Sequence, residues 1–200
     1  MHNSGMRQLT FPGLGDAPVR ESHNLFFALW PSDSVRVAIE AAAGRLRQEH
    51  QPAGRWIARH RYHMTLHYLG NHDAVPQPLA DFACAAGGRV RAAAFDVPLD
   101  TAASFSNNKQ IPWWLGCHET PPDLRALWRA IRKEFGETGQ RALRNAALIP
   151  HVTILRDAVV PLPPTPIPPI RWPVSEFVLI DSVLGSTPSY QLLGRWPLKN

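Results

Sequence analysis

Two four-residue segments of this chain repeat one pattern: His63-Met64-Thr65-Leu66 and His151-Val152-Thr153-Ile154 each read imidazole, apolar, hydroxyl, apolar. Their surroundings, Tyr62–Leu69 and His151–Leu155, read as strands. In a strand, successive side chains point to opposite faces. His63 and Thr65 then share one face while Met64 and Leu66 share the other, and His151 with Thr153 repeats the arrangement against Val152 with Ile154. Each strand must give its apolar face to a core and keep its polar face open. Two such strands related by pseudo-symmetry would set both histidine–threonine pairs across one cleft.

The remaining chain supplies elements for such a fold. Asn24–Trp30 reads as a buried strand stopped by Pro31. Ser32 or Asp33 can cap a helix carrying Val35, Ile39, Ala42 and Leu46 on one face. A second helix fits Gln77–Ala86, with Leu79, Phe82, Ala83 and Ala86 inward. Ala94–Asp100 and Pro112–His118 read as strands either side of a turn at Ser106-Asn107-Asn108-Lys109. A third helix starts at Pro122-Asp123, carries Leu124, Leu127, Trp128, Ile131 and Phe135, and stops at Gly136 and Gly139. Pro161–Pro173 holds seven prolines and predicts an extended, polyproline-like connector lying against the body. Ser175–Leu184 and Ser189–Trp196 predict a hairpin. Strand–helix units mixed with hairpins indicate an α+β fold. Residues 1–21, with three glycines, two prolines and no continuous apolar run, read as a disordered tail before a single domain over 22–200. Each motif also follows a basic approach: Arg55 to Arg61 before the first, Arg141 and Arg144 before the second.

The formal charge of +5 favours polyanions such as RNA or nucleotides, or serves solubility alone. Two cysteines, Cys84 and Cys117, give no disulfide framework and suit a reducing cytoplasm, where both are expected as buried free thiols. No run approaches the roughly 20 apolar residues of a membrane span, and the start of the chain lacks a secretory pattern.

The paired motif suits phosphodiester chemistry. Hydrolysis needs a base to activate water and an acid to protonate the leaving oxygen, and histidine performs either near neutral pH. Two threonine hydroxyls could donate to the non-bridging oxygens, and Arg156, three residues beyond Thr153, could clamp the phosphate. The residues alone leave open a second reading, two ordinary strands with exposed histidines. His67 has the parity of His63 and would line the cleft mouth or stand exposed. His63 and His67 do not make a metal pair, since four strand residues span roughly 13 Å, and no carboxylate or thiol cluster accompanies them. Of Trp113 and Trp114, and of Phe26 and Phe27, one should enter the core and the other face out, where a tryptophan could stack on a base. Lys109 and Gln110 at a turn, and the arginines of the third helix, could reach an RNA backbone or simply be solvated.

With these motifs in their context, LFFALWP, YHMTLHYLG, WWLG, PHVTILRD and EFVLIDSVL…YQLLGRWPL, the chain resembles the 2H phosphoesterase superfamily from about Asn24 onward. Within it, the sequence is most similar to the RNA 2′,3′-cyclic phosphodiesterase group, also called the 2′-5′ RNA ligase family. The resemblance implies a bilobal, pseudo-symmetric α+β fold, with two antiparallel sheets around a central cleft and helices outside. It implies hydrolysis of a 2′,3′-cyclic phosphate to a 2′-phosphate with no metal and no cofactor. By analogy His63 is the proton donor, His151 the proton acceptor, and Thr65, Thr153 and Arg156 bind substrate; the symmetric motifs do not by themselves decide which histidine is which. The implied partner is RNA with a 2′,3′-cyclic phosphate end or a related nucleotide, with no membrane and no obligate protein partner, the protein acting as a monomer. A small cyclic nucleotide or nucleotide sugar as substrate, or a non-catalytic RNA-binding module, are the alternatives. The chain departs from relatives at Arg61, where asparagine is frequent, and at Leu148, where phenylalanine is frequent; neither is expected to touch the chemistry directly.

Overall fold

The computed structural model describes residues 21–105, 111–135 and 148–199. Its elements are β1 (Ser22–Leu29), α1 (Asp33–His50), β2 (Arg55–Trp56), a 3₁₀ turn (Arg59–Arg61), β3 (Met64–His72), α2 (Gln77–Arg89), β4 (Phe95–Ser104), β5 (Ile111–Gly116), α3 (Pro122–Glu134), β6 (His151–Ala158), β7 (Thr165–Val174), β8 (Glu176–Leu184) and β9 (Ser189–Pro197). The tail up to residue 20, the turn at 106–110 with Lys109 and Gln110, the helix-ending Gly136 and Gly139, and Arg141 and Arg144 lie outside the described residues.

Every strand pairing is antiparallel, in the order β7-β4-β5-β6-β3-β1-β8-β9, with β2 added on β6. The order divides into two four-stranded halves, β7-β4-β5-β6 and β3-β1-β8-β9. They are joined at one residue pair, Met64 with Val152. This is the expected α+β, two-lobed arrangement, with both sheets continuous through a narrow waist.

One face of both halves packs on the helices. Leu25, Phe27 and Leu29 of β1, Met64 of β3, Val97 and Leu99 of β4, Leu115 of β5 and Val152 and Ile154 of β6 meet Ile39 of α1, Ala83 of α2 and Leu124, Leu127 and Ile131 of α3. Each fully buried aliphatic side chain of this kind stabilises by about 1.5–3 kcal/mol. Helix α1 starts where Ser32 accepts from the backbone N–H of Val35, and ends at Gln51 in a left-handed conformation with φ +46°. In α2 the inward residues are Ala80, Ala83 and Ala86; Phe82, expected inward, is exposed and meets the ring of Phe135 edge-on at 5.3 Å. The opposite face of the β1–β8 pair carries a small apolar cluster of Phe26, Ala28, Val178 and Ile180, flanked by Trp30 and Tyr190.

The proline-rich segment is extended and lies on the body, but it is a paired strand rather than a connector. β7 runs beside β4 from Val174 opposite Phe95 to Thr165 opposite Ala102. Proline cannot donate to a ladder and is tolerated on an edge strand, and β7 is an edge. Its buried Ile170, Trp172 and Val174 alternate with exposed neighbours, a two-residue period that the prolines obscure in sequence.

Strand β3 does not alternate cleanly. Phe27 faces His67 and Ala28 faces Thr65, so Leu66 is an extra residue, and the ladder slips again between Leu25 and Phe26. The first bulge reverses the parity expected for His67. It lies buried on the helix side, its Nε2–H donating to the Trp128 carbonyl at 2.9 Å and its ring stacked on that indole at 4.9 Å. In return the Trp128 indole N–H donates to the Leu66 carbonyl at 3.1 Å. The bulge exposes a carbonyl that α3 then caps.

Candidate active site

The waist pair sets the site. In antiparallel pairing about Met64 and Val152, position 63 falls opposite 153 and position 65 opposite 151. The two core-facing side chains are fully buried, so the histidines and threonines that flank them turn to the other face, where all four are half-buried. His63 and Thr153 line one cleft of about 220 Å³ with Arg55, Ile57, Arg61, Arg156 and Tyr190 among its walls. Two larger grooves, of about 420 and 310 Å³, lie elsewhere, so volume alone would not single this cleft out.

Each histidine is held in the same way. His63 Nδ1 lies 2.8 Å from the Arg61 carbonyl oxygen, and His151 Nδ1 lies 2.7 Å from the Ile149 carbonyl oxygen. A carbonyl only accepts, so each Nδ1 carries a proton and the neutral ring keeps its lone pair on Nε2. Both anchors are two residues upstream, so the duplication in sequence is also a duplication of tautomer.

The two walls differ. On the first side, Phe26 stacks on His63 at 5.0 Å, Trp30 stands nearly parallel to it at 6.5 Å, and Tyr190 meets it edge-on at 5.6 Å. Arg61 lies over the Tyr190 ring at 4.9 Å and its Nε donates to the phenol oxygen at 3.4 Å. On the second side, Phe105 meets His151 edge-on at 5.0 Å and Trp114 stands 6.2 Å away. Trp113 is the core member of its pair, its indole N–H donating to the Val160 carbonyl at 2.9 Å, and Trp114 lies opposite Thr153 with its ring beside His151. Likewise Phe27 is core and Phe26 faces the site.

Arg156 reaches the cleft because β6 bulges. Trp114 faces Thr153 while Trp113 faces Leu155, leaving Ile154 as an extra residue. Strict alternation would turn Arg156 away from Thr153; the bulge returns it to the same face. The corresponding position of β3, five residues after its histidine, is Tyr68, whose hydroxyl donates to Asn24 Oδ1 at 2.7 Å. The pseudo-symmetry of the motifs thus ends with an arginine on one side and a tyrosine on the other.

Burial pushes the His63 imidazole down to about 4; its carbonyl bond to Arg61 opposes this, and the charges of Arg156, His151 and Arg61 add to it. His151 is lowered as well, by burial, against the support of its bond to Ile149. The cleft therefore holds the neutral imidazole of His63 beside guanidinium groups, with that of His151 on the same face across the waist, an environment suited to one anion. Among the described residues no three His, Cys, Asp or Glu side chains gather as a metal-binding group. Both cysteines are free and half-buried rather than fully buried, and burial pushes the Cys117 thiol up to about 12, leaving it unreactive at neutral pH.

The structure brings together His63, Thr153 and Arg156 of the sequence candidates, and places Thr65 and His151 on the same face across the waist. Arg61 was expected to stand apart from the chemistry. It lines the cleft, and its carbonyl fixes the His63 tautomer; its place at the end of the basic run Arg55 to Arg61 before the motif was the available signal. Tyr190 enters from the far end of the chain, and no local pattern marks it.

The 2′-5′ RNA ligase superfamily profile matches residues 31–185. No curated protein matches the sequence. Among solved structures, Escherichia coli LigT complexed with 3′-AMP is similar at a TM-score of 0.72 and 29% identity, covering 90% of this chain and 99% of that one. LigT complexed with ATP gives 0.71 and 30% over the same shares. A Thermus thermophilus protein gives 0.69 and 26%, over 88% of this chain and 98% of its own. No helix among the described residues is long and apolar enough to cross a membrane. With a profile spanning most of its length and a fold shared nearly end to end with LigT, the chain belongs to the 2′-5′ RNA ligase superfamily of two-histidine phosphoesterases and is an enzyme acting on phosphodiester bonds.

Proposed function

We propose that this enzyme hydrolyses 2′,3′-cyclic phosphate ends of RNA to 2′-phosphomonoesters, without metal or cofactor, as a cytoplasmic monomer. The observation that carries the reading is the matched anchoring of His63 and His151 through Nδ1, which leaves both Nε2 atoms for proton transfer. His151 Nε2 takes a proton from water as the water oxygen bonds to phosphorus. The bond from phosphorus to the 3′ oxygen breaks, and that oxygen takes the proton of His63 Nε2. Thr65 and Thr153 donate to the non-bridging oxygens, and Arg156 balances their charge. With an RNA 5′-hydroxyl in place of water, the same attack gives a 2′-5′ linkage, a secondary activity.

His63 must be protonated to act as the acid, yet it is neutral in the free enzyme. The substrate's own anionic oxygen supplies the missing partner, offsetting Arg156 and Arg61 and raising the imidazole when bound. A small cleft and the mononucleotides held by LigT favour a second reading, a small cyclic nucleotide or nucleotide sugar as substrate.

The test is a short RNA ending in a 2′,3′-cyclic phosphate, incubated with the enzyme in EDTA. A 2′-phosphate product, absent with His63→Ala and with His151→Ala, is expected. Turnover of cyclic mononucleotides alone selects the second reading. Salt-dependent RNA binding without turnover of either substrate marks a binding module. Inhibition by EDTA that a divalent ion reverses marks a metallohydrolase.

A further inference from the structure

Arg36 sits on the apolar stripe of α1, between Val35 and Ile39, and only 7% of it is exposed. Its guanidinium lies 4.5 Å from the centre of the Trp30 ring, and Nη1 donates to the His60 carbonyl at 3.3 Å. Nε and Nη2 are buried with no hydrogen-bond partner. Burial lowers its pKa, with Asp33 nearby opposing the shift. A buried cation with two unpaired donors is costly, and apolar residues of the same volume commonly fill such places with no loss of stability. Packing alone therefore does not account for it.

Its partners supply a reason. The 3₁₀ turn Arg59–Arg61 uses the carbonyls of Ala58 and Arg59 for its own bonds, to the N–H groups of Arg61 and Tyr62. The next two carbonyls are left without partners inside the turn. One, on His60, is taken by Arg36; the other, on Arg61, is taken by His63 Nδ1–H. The second surface that Arg36 holds is Trp30, which stands nearly parallel to the His63 ring, with Tyr190 perpendicular to both. Arg36 thus grips both the turn that sets the His63 tautomer and the ring beside His63.

We infer that Arg36 is a positioning residue for His63: through the 59–61 turn and Trp30 it holds the imidazole in the Nδ1-protonated tautomer, with Nε2 facing the cleft. His151 is anchored to the Ile149 carbonyl without such a guanidinium among the described residues, so the effect belongs to one side of the site. The inference rests on the proposed hydrolysis only for its kinetic readout. The charged and titratable groups facing His63 are Arg61, Arg156, His151 and Tyr190, all of which the tests leave in place.

The experiment compares wild type with Arg36→Met and Arg36→Lys, reading the ¹⁵N shifts of both imidazoles and the kcat and KM for a 2′,3′-cyclic phosphate RNA. In Arg36→Met, which keeps an apolar stem of similar length, His63 should shift toward an Nδ1/Nε2 proton mixture while the His151 resonances stay fixed. The kcat should fall about tenfold or more with KM within about twofold. Arg36→Lys, which can still reach the His60 carbonyl, should restore much of both. A lowered melting temperature with unchanged His63 resonances and kcat would make Arg36 merely structural and overturn the inference. Should Arg36→Met not fold, the same measurements on Arg36→Leu, which also removes the donor to the His60 carbonyl, decide in its place: His63 shifts and kcat identical to wild type would overturn the inference equally. If wild type turns over no cyclic phosphate, the hydrolase reading fails, yet the His63 resonances still decide the role of Arg36.

Discussion

Met64 faces Val152 at the one pair joining the two halves of the sheet, and each follows a candidate catalytic histidine directly in sequence. The spacing of the two imidazoles is thus set by the packing of two fully buried side chains on the opposite face. Met64→Ala should cost about 2–5 kcal/mol, the usual range for emptying a buried methionine site. Because the cavity opens at the waist, kcat should fall more than KM rises. Denaturant melts and steady-state kinetics on the same protein would check both, and an unchanged kcat would show that the waist does not set the spacing.

The two histidines act as a unit in the proposed reaction. His63→Ala and His151→Ala should each lower kcat by about 10²–10⁴-fold, the range for one general acid or base. The double variant should lose less than the product of the two, since either loss stalls the same step. Circular dichroism spectra matching wild type would confirm that the fold survives.

The titration of His63 carries a sign that can be tested directly. In the free enzyme its midpoint should lie near 4, well below the ordinary 6.5, with burial as the main cause. Inorganic phosphate should raise the midpoint by supplying an anion, and Arg156→Gln should raise it in the free enzyme by removing a cation. An NMR titration of the His63 ring, with and without phosphate, reads both shifts. A midpoint that phosphate leaves in place would deny the anion its proposed part in making His63 an acid.

His67 predicts a dependence of stability on pH. It is buried beneath Trp128, and burial pushes it from 6.5 down to about 4. Between those values the unfolded chain binds a proton that the folded protein refuses. Its contribution is complete above about 6.5 and is lost as pH falls to about 4, at about 1 kcal/mol per pH unit for one such group. His67→Phe should flatten that slope in urea melts between pH 4 and 6.5, whatever it does to stability at pH 7. An unchanged slope would show that His67 is not the group responsible.

Much of this protein follows from local pattern. The parity of His63-Met64-Thr65-Leu66 and of its repeat, the stripe of α3 and the hairpin of β8 and β9 all appear where side-chain periodicity places them, because each depends on neighbours within a few residues. The candidate site was legible for the same reason: two imidazoles and two hydroxyls with matching parity imply two matching polar faces. What local pattern did not reveal depends on a partner elsewhere in the chain. Bulges at Leu66 and Ile154 arise from the ladders with β1 and β5; they bury His67 and swing Arg156 into the cleft, inverting the parity that the sequence alone suggests. The prolines of β7 are acceptable only because that strand is an edge. Tyr190 and Arg36 join the His63 wall from distant segments. Sequence determined which side chains could share a face; the pairing of strands, through one buried contact and two extra residues, decided which of them meet.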